Sequence, residues 1–167
     1  MDLGVTLMPT TTHNATSKHS GVPAAPWLSR GIVVGVDGSD ASLEALRCAL
    51  RLGELAGCTV RAIAVWQPVP FGSWTTPLSK PAEDAASVLI EAVGQACGDQ
   101  VPQWFTATPR QGTAADVLIN DSKDADLLIV GTRGRGKVKG LLLGSVSARC
   151  VGNATCPVLV VNAETST

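Results

Sequence analysis

Gly131, Gly134 and Gly144, the hydroxyls of Ser145 and Ser147, and the cations Arg133, Arg135, Lys137 and Lys139 all fall within one stretch, 131–147. The apolar run 125–130 before it reads as a short buried strand, and 145–151 after it reads as the start of a helix. A strand, a glycine-rich loop and a helix N-terminus make an anion site. Glycines let the backbone approach a phosphate, and the unpaired N–H groups of a helix's first turn point at it. The helix dipole adds about 0.3–1 kcal/mol of preference for negative charge. The chemistry indicated is phosphate binding. Each residue also has a plainer role: the glycines can serve a turn that needs positive φ, Ser145 can cap the helix, and the cations can form a solvated basic loop.

The spacing narrows the reading. No Gly-Lys-Ser/Thr closes a four-residue gap, so the Walker A pattern does not fit. The dinucleotide fingerprint, which follows the first strand of a fold, does not fit either. The spacing Gly131-x2-Gly134-x9-Gly144-Ser145 resembles the nucleotide signature of the universal stress protein family, in its ATP-binding branch. Two further segments carry the same resemblance. Gly31 to Ser42 is similar to the family's first strand and Asp-containing turn, and Cys156 to Val161 to its closing strand. Together they cover about residues 30–163.

The resemblance implies an α/β fold, a five-stranded parallel doubly wound sheet of order 3-2-1-4-5 with four helices, in a single Rossmann-like domain. It implies a nucleotide site of Asp37, Val65, Gly131, Gly134, Gly144, Ser145, Val146 and Ser147, to which the chemistry of the loop, and not the resemblance, adds Arg133. The ligand would be ATP, with or without Mg²⁺. Asp37 by its type can hold Mg²⁺, bond a ribose or base, or cap the next helix, and the resemblance puts it near the adenosine end. Val65 falls where the family's second strand meets adenine through its backbone; its plainer role is a core strand residue. Gly112 reads as a turn glycine. Among the cations Arg133 and Arg135 are preferred, because a guanidinium pairs with phosphate oxygens bidentately.

Composition bounds the alternatives. Thirteen basic and fourteen acidic residues leave a formal charge of −1, without the basic excess of a nucleic-acid binder. No apolar run reaches the roughly 18 residues of a membrane helix. Five cysteines, without a Cys-x-x-Cys pair, read as buried reduced thiols in the cytoplasm. The only histidines, His13 and His19, lie in the N-terminal 29 residues. A Ser–His–Asp hydrolase and a His-containing zinc site therefore lack a necessary residue in the domain. No catalytic residue is assigned.

The chain divides into a disordered extension over 1–29, a domain over 30–163 and a short tail over 164–167. Within the domain, strands are expected at 32–36, 59–66, 101–108, 125–130 and 157–161. Helices are expected at 41–56, 81–97, 112–122 and 145–153, with a proline-rich loop over 67–80. The first helix shows Leu43, Leu46, Leu50 and Leu55 at helical spacing, ending at Gly57. Alternating strands and helices mean a parallel sheet, whose ligand crevice opens where the winding reverses. Asp37 and Gly131 both fall at that point.

The closing strand, Val158 to Val161, is apolar on both faces and lies at a sheet edge, which invites pairing with a second chain. A homodimer is expected there, the other reading being that residues 1–29 cover the edge. The function expected is a dimeric, nucleotide-dependent regulator or sensor in stress response. The alternatives are a cyclic AMP-binding protein at the same site, a slow Mg²⁺-dependent ATPase, and a nucleotide-free scaffold.

Overall fold

A computed structural model describes residues 28–68, 80–132 and 143–163. Arg133, Gly134, Arg135, Lys137 and Lys139, most of the 67–80 loop, residues 1–27 and the tail 164–167 lie outside the described residues. The element order is β1 (Ile32–Gly35), α1 (Asp40–Ala56), β2 (Val60–Trp66), α2 (Pro81–Cys97), β3 (Phe105–Gln111), α3 (Ala114–Asp121), β4 (Leu127–Gly131), α4 (Ser145–Asn153) and β5 (Val158–Val161). The five strands form one parallel sheet of order β3-β2-β1-β4-β5, as the resemblance implies.

The near-continuous apolar strands are explained by burial on both faces. Ile32 and Val34 enter the core beneath α1 and α2, with Leu46, Leu89 and Phe105. Val33, between them, faces the other way into a second core with Ile63, Leu118, Leu128 and Cys150. The first core also takes in Leu28, two residues before the expected start of the domain.

α1 presents a different face from the leucine stripe. Its buried residues include Ala41, Ala45, Leu46, Ala49, Gly53 and Ala56, mostly small, so the helix lies close on the sheet. Leu43 and Leu50 pack at its margin, while Leu55 is 74% exposed. Leu55 follows Leu46 by nine residues, about two and a half turns, and so points the opposite way. Gly57 ends the helix in the left-handed conformation, φ 65°, as a C-terminal glycine should.

β3 starts later than the 101–108 reading. Pro102 lacks an N–H and instead accepts a turn bond from Phe105 N–H at 3.1 Å. The first bond to β2 is made by Trp104 O, which accepts from Val60 N–H at 3.0 Å, and the strand then runs through Pro109 to Gln111. β3 is an edge strand. Alternation from Trp104 O turns the backbone of Pro109 to the outer side, where no ladder donor is required.

The cysteines divide. Cys58 and Cys150 are buried, whereas Cys48, Cys97 and Cys156 are only half-buried, and all five are free. Burial pushes the thiols of Cys58, Cys97 and Cys150 up, which keeps them protonated and inert at neutral pH. Among the described residues no helix is long and apolar enough to cross a membrane.

One ion pair secures the edge of the folded unit. Asp126 accepts the Arg30 backbone N–H at 2.7 Å and its Nε–H at 2.8 Å. The Asp126 side chain is 11% exposed against 61% for Arg30. These bonds from Arg30 hold the carboxyl below its ordinary range. A carboxylate lowered in the folded state contributes stability above its unfolded pKa of about 3.9 and loses it as pH falls through the folded value. Asp126→Asn should therefore melt below the wild type at pH 7. The gap should narrow steadily on acidification below about pH 4; a gap independent of pH would contradict this account.

Candidate functional site

The carboxyl ends of β1 and β4 meet where the strand order reverses, and three structural features converge there. The first is the turn after β1. Asp37 Oδ1 accepts the Ser39 backbone N–H at 3.0 Å and the Ser39 hydroxyl at 2.6 Å. Ser39 is the N-cap of α1, its Oγ accepting the Ser42 N–H at 3.3 Å. The buried Ser42 hydroxyl donates to Ser39 O at 2.9 Å and accepts the Asp37 N–H at 3.3 Å. An exposed Asp37 is thus fixed on a rigid turn at the crevice rim. In the sequence Ser42 is visible only as the end of the Gly31 to Ser42 motif, and its position three residues past the N-cap Ser39 is the signal for this role.

The second feature is Gly131, the last residue of β4. A Cβ there would lie 2.8 Å from Ala41 C, 2.9 Å from Ser42 N and 3.0 Å from Ala41 Cβ. The strand end therefore rests on the backbone of α1's first turn, which admits no side chain. Gly131 is not among the glycines with positive φ, so space and not backbone conformation requires it.

The third feature is the N-terminus of α4. Its N-cap is Gly144, in extended conformation at φ −72°. Ser145 is consequently the first helical residue and does not cap the helix. The first intrahelical bond is Ala148 N–H to Gly144 O at 2.9 Å. The N–H groups of Ser145, Val146 and Ser147 precede it and have no intrahelical acceptor. Val146 is partly buried against the second core and Ser147 is buried. Arg149 Nη2 reaches Asp116 Oδ1 at 2.6 Å and ties α4 to α3. With both side chains half exposed, this pair orients more than it stabilises.

The neck of the glycine loop is closed by backbone bonds. Thr132 O accepts the Gly144 N–H at 2.7 Å, and Thr132 N–H donates to Val161 O at 2.8 Å. Val65 lies on β2 two residues past Ile63, whose carbonyl accepts the Val36 N–H at 2.9 Å. Residues two apart on a strand direct their backbone to the same side. The Val65 N–H and C=O therefore face the β1 side beyond Gly35, the last β1 residue in register with β2. Its side chain packs on the second core, as the core reading expects. Gly112, at φ 144°, donates its N–H to Trp66 O at 2.9 Å and is a turn glycine, as expected.

Of the expected site residues, Asp37, Gly131, Gly144, Ser145, Val146 and Ser147 come together at this carboxyl edge, with Val65 at its β2 side. Arg133 and Gly134 lie outside the described residues. A separate cavity of about 460 Å³ opens at the amino ends of β2 and β3, lined by Arg47, Arg51, Glu54, Cys97 and Trp104 among others. Arg47 pairs there with Glu44, and Arg51 lines the same wall as Glu54. None of the expected site residues lies in it.

The universal stress protein family model matches residues 29–162. Universal stress protein MJ0531 of Methanocaldococcus jannaschii is 33% identical over 144 residues, 80% of this chain and 82% of that protein. The chain spans about half the length of several mycobacterial relatives that it also matches. Among solved structures, it is similar to a universal stress protein in complex with cAMP. The TM-score is 0.62 and identity 27%, over 80% of this chain and 97% of that one. It is also similar to the universal stress protein from Archaeoglobus fulgidus in complex with dAMP. There the TM-score is 0.57 and identity 25%, over 78% of this chain and 96% of that one.

The fit of Gly131 against α1 has a direct test. Gly131→Ala should destabilise the fold by about 1–3 kcal/mol in urea unfolding, the cost of forcing a methyl into packed backbone. Gly94→Ala is the control, since a Cβ on that α2 residue meets nothing within 4 Å. It should stabilise by about 0.5–1 kcal/mol. Equal effects of the two would contradict the packing account.

Proposed function

This chain belongs to the universal stress protein family, and on that footing we propose that it binds ATP in the crevice between β1 and β4, acting as a dimeric, nucleotide-dependent regulator or sensor in a stress response. The observation that carries the reading is the convergence of the Asp37 turn, Gly131 seated on α1 and the N-terminus of α4, whose first N–H groups have no intrahelical acceptor, at the point of strand reversal. The cAMP and dAMP complexes of similar proteins support an adenine nucleotide as the ligand class.

The proposed contacts divide by chemistry. Asp37 and the Val65 backbone take the adenosine end. Gly131, Gly144 and the first-turn N–H groups of Ser145, Val146 and Ser147 take the phosphates, with Gly134 and Arg133 from the loop. Four cations in the loop suit a triphosphate better than the single phosphate of cAMP, which is the competing reading. Among the described residues no three His, Cys, Asp or Glu gather to hold a metal, so Mg²⁺ would be bound mainly by the phosphates. Asp37 is the one carboxylate of the set, and its assignment to the adenosine end favours binding over turnover. Mg²⁺-dependent phosphate release abolished by Asp37→Ala would convert the reading to a slow ATPase.

Dimerisation is proposed through the edge strand β5, where Leu159 is 37% exposed. The bond from Thr132 N–H to Val161 O joins the glycine loop's neck to the end of that strand. A ligand that favours one arrangement of the neck would then favour one arrangement of the edge, and the coupling is reciprocal. The five free thiols support a cytoplasmic location.

Thermal melting with Mg·ATP tests the reading. Ligand at about a hundred times its dissociation constant adds about 2.7 kcal/mol, or about 5–10 °C for a domain of this size. Competition should rank ATP above cAMP; the reverse order would make cAMP the ligand. No shift, in protein free of bound nucleotide, would remove the ATP reading. Sedimentation of the same samples should give a dimer at micromolar concentration, and a monomeric mass would remove the edge-strand interface.

A further inference from the structure

We propose that Ser147 is a positioning residue of the nucleotide crevice, its hydroxyl clasping the two ends of the glycine loop instead of touching phosphate. The inference rests on the nucleotide reading and assigns what organises the phosphate half of that site. Ser147 Oγ lies 3.1 Å from Thr132 O and 3.0 Å from Gly144 O, and the residue is 2% exposed. A serine hydroxyl has one proton to donate. Both partners are backbone carbonyls in the loop's neck, so that proton is committed inside the fold.

The consequence is electrostatic. Carbonyl oxygens carry partial negative charge and would repel an anion if they faced it. Thr132 O receives the Gly144 N–H at 2.7 Å as well as the Ser147 hydroxyl, and Thr132 N–H is held by Val161 O at 2.8 Å. Thr132 is thus fixed through both its N–H and its C=O, and the Gly144 carbonyl, which already accepts the Ala148 N–H at 2.9 Å, receives the same buried hydroxyl. With the two carbonyls directed inward, the loop's neck presents the N–H groups of Ser145, Val146 and Ser147 to the ligand. Ser147 therefore contributes its backbone N–H directly and its side chain only through the neck. The adenosine end, at Asp37 and Val65, does not depend on the clasp.

That asymmetry provides the test. Affinities of the full chain for ATP and for adenosine are measured by calorimetry for wild type and Ser147→Ala, with urea unfolding in parallel. Ser147→Ala should bind ATP about tenfold more weakly, the scale of one lost hydrogen bond, while its adenosine affinity stays within about twofold. If Ser147→Ala does not fold, Ser147→Cys, a weaker donor of similar size, carries the same comparison with a smaller loss. Equal losses for both ligands, or a loss of stability with the ATP-to-adenosine ratio unchanged, would overturn the clasp. Wild type binding neither ligand would overturn the nucleotide reading itself, and the clasp with it.

Discussion

The seat of Gly131 on the first turn of α1 is the contact on which the rest of the site depends. With a virtual Cβ only 2.8 Å from Ala41 C, β4 and α1 approach as closely as backbone permits. That approach lays the first turn of α1 over the end of β4, the strand paired with β1. It also leaves no room for a side chain at Gly131. The Asp37 turn follows from the same placement, since Ser39 and Ser42, which hold Asp37, are the N-cap and the third residue of that helix. A buried hydroxyl that both donates and accepts makes the turn rigid without adding a charge.

From this contact outward, the molecule is a chain of backbone commitments. Gly131 leads to Thr132, Thr132 to Val161 and Gly144, and Gly144 to the first turn of α4. Among the described residues few side chains take part, the Asp37 carboxylate on the rim being the charged one. The same economy connects the loop to the edge strand: β5 has a neighbour on one side only, and its last residue is bonded to the neck of the loop. The other edge, β3, carries Pro109 with its backbone turned outward and is poorly suited to pairing.

Much of the fold is legible because burial on both faces writes itself as apolar runs; the runs 32–36 and 125–130 stand out for that reason, and the strands found there are Ile32–Gly35 and Leu127–Gly131. Strand order was not written in periodicity and came from the resemblance. Where packing depended on small residues, the residues misled: the leucines of α1 drew attention, but alanines make its buried face, and Leu55 faces solvent. β3 was displaced because Val101 and Trp104 look like strand residues while Pro102 delays the first ladder bond. At the site, glycine and serine types were visible, but their roles were not. Gly131 serves space, not positive φ, and the Ser147 hydroxyl faces carbonyls. Backbone groups such as those of Val65 and Thr132 leave no mark on a side-chain alphabet.

The central claim is that an adenine nucleotide binds at the carboxyl edge between β1 and β4. The most direct measurement is an amide-resolved magnetic resonance titration of the 17.1 kDa chain with ATP. The account requires the largest shifts at Gly131, Thr132, Ser145 and Val146, with a second group at Asp37 and Val65. Shifts confined to the Trp104 and Cys97 cleft, or spread without regard to the crevice, would contradict it.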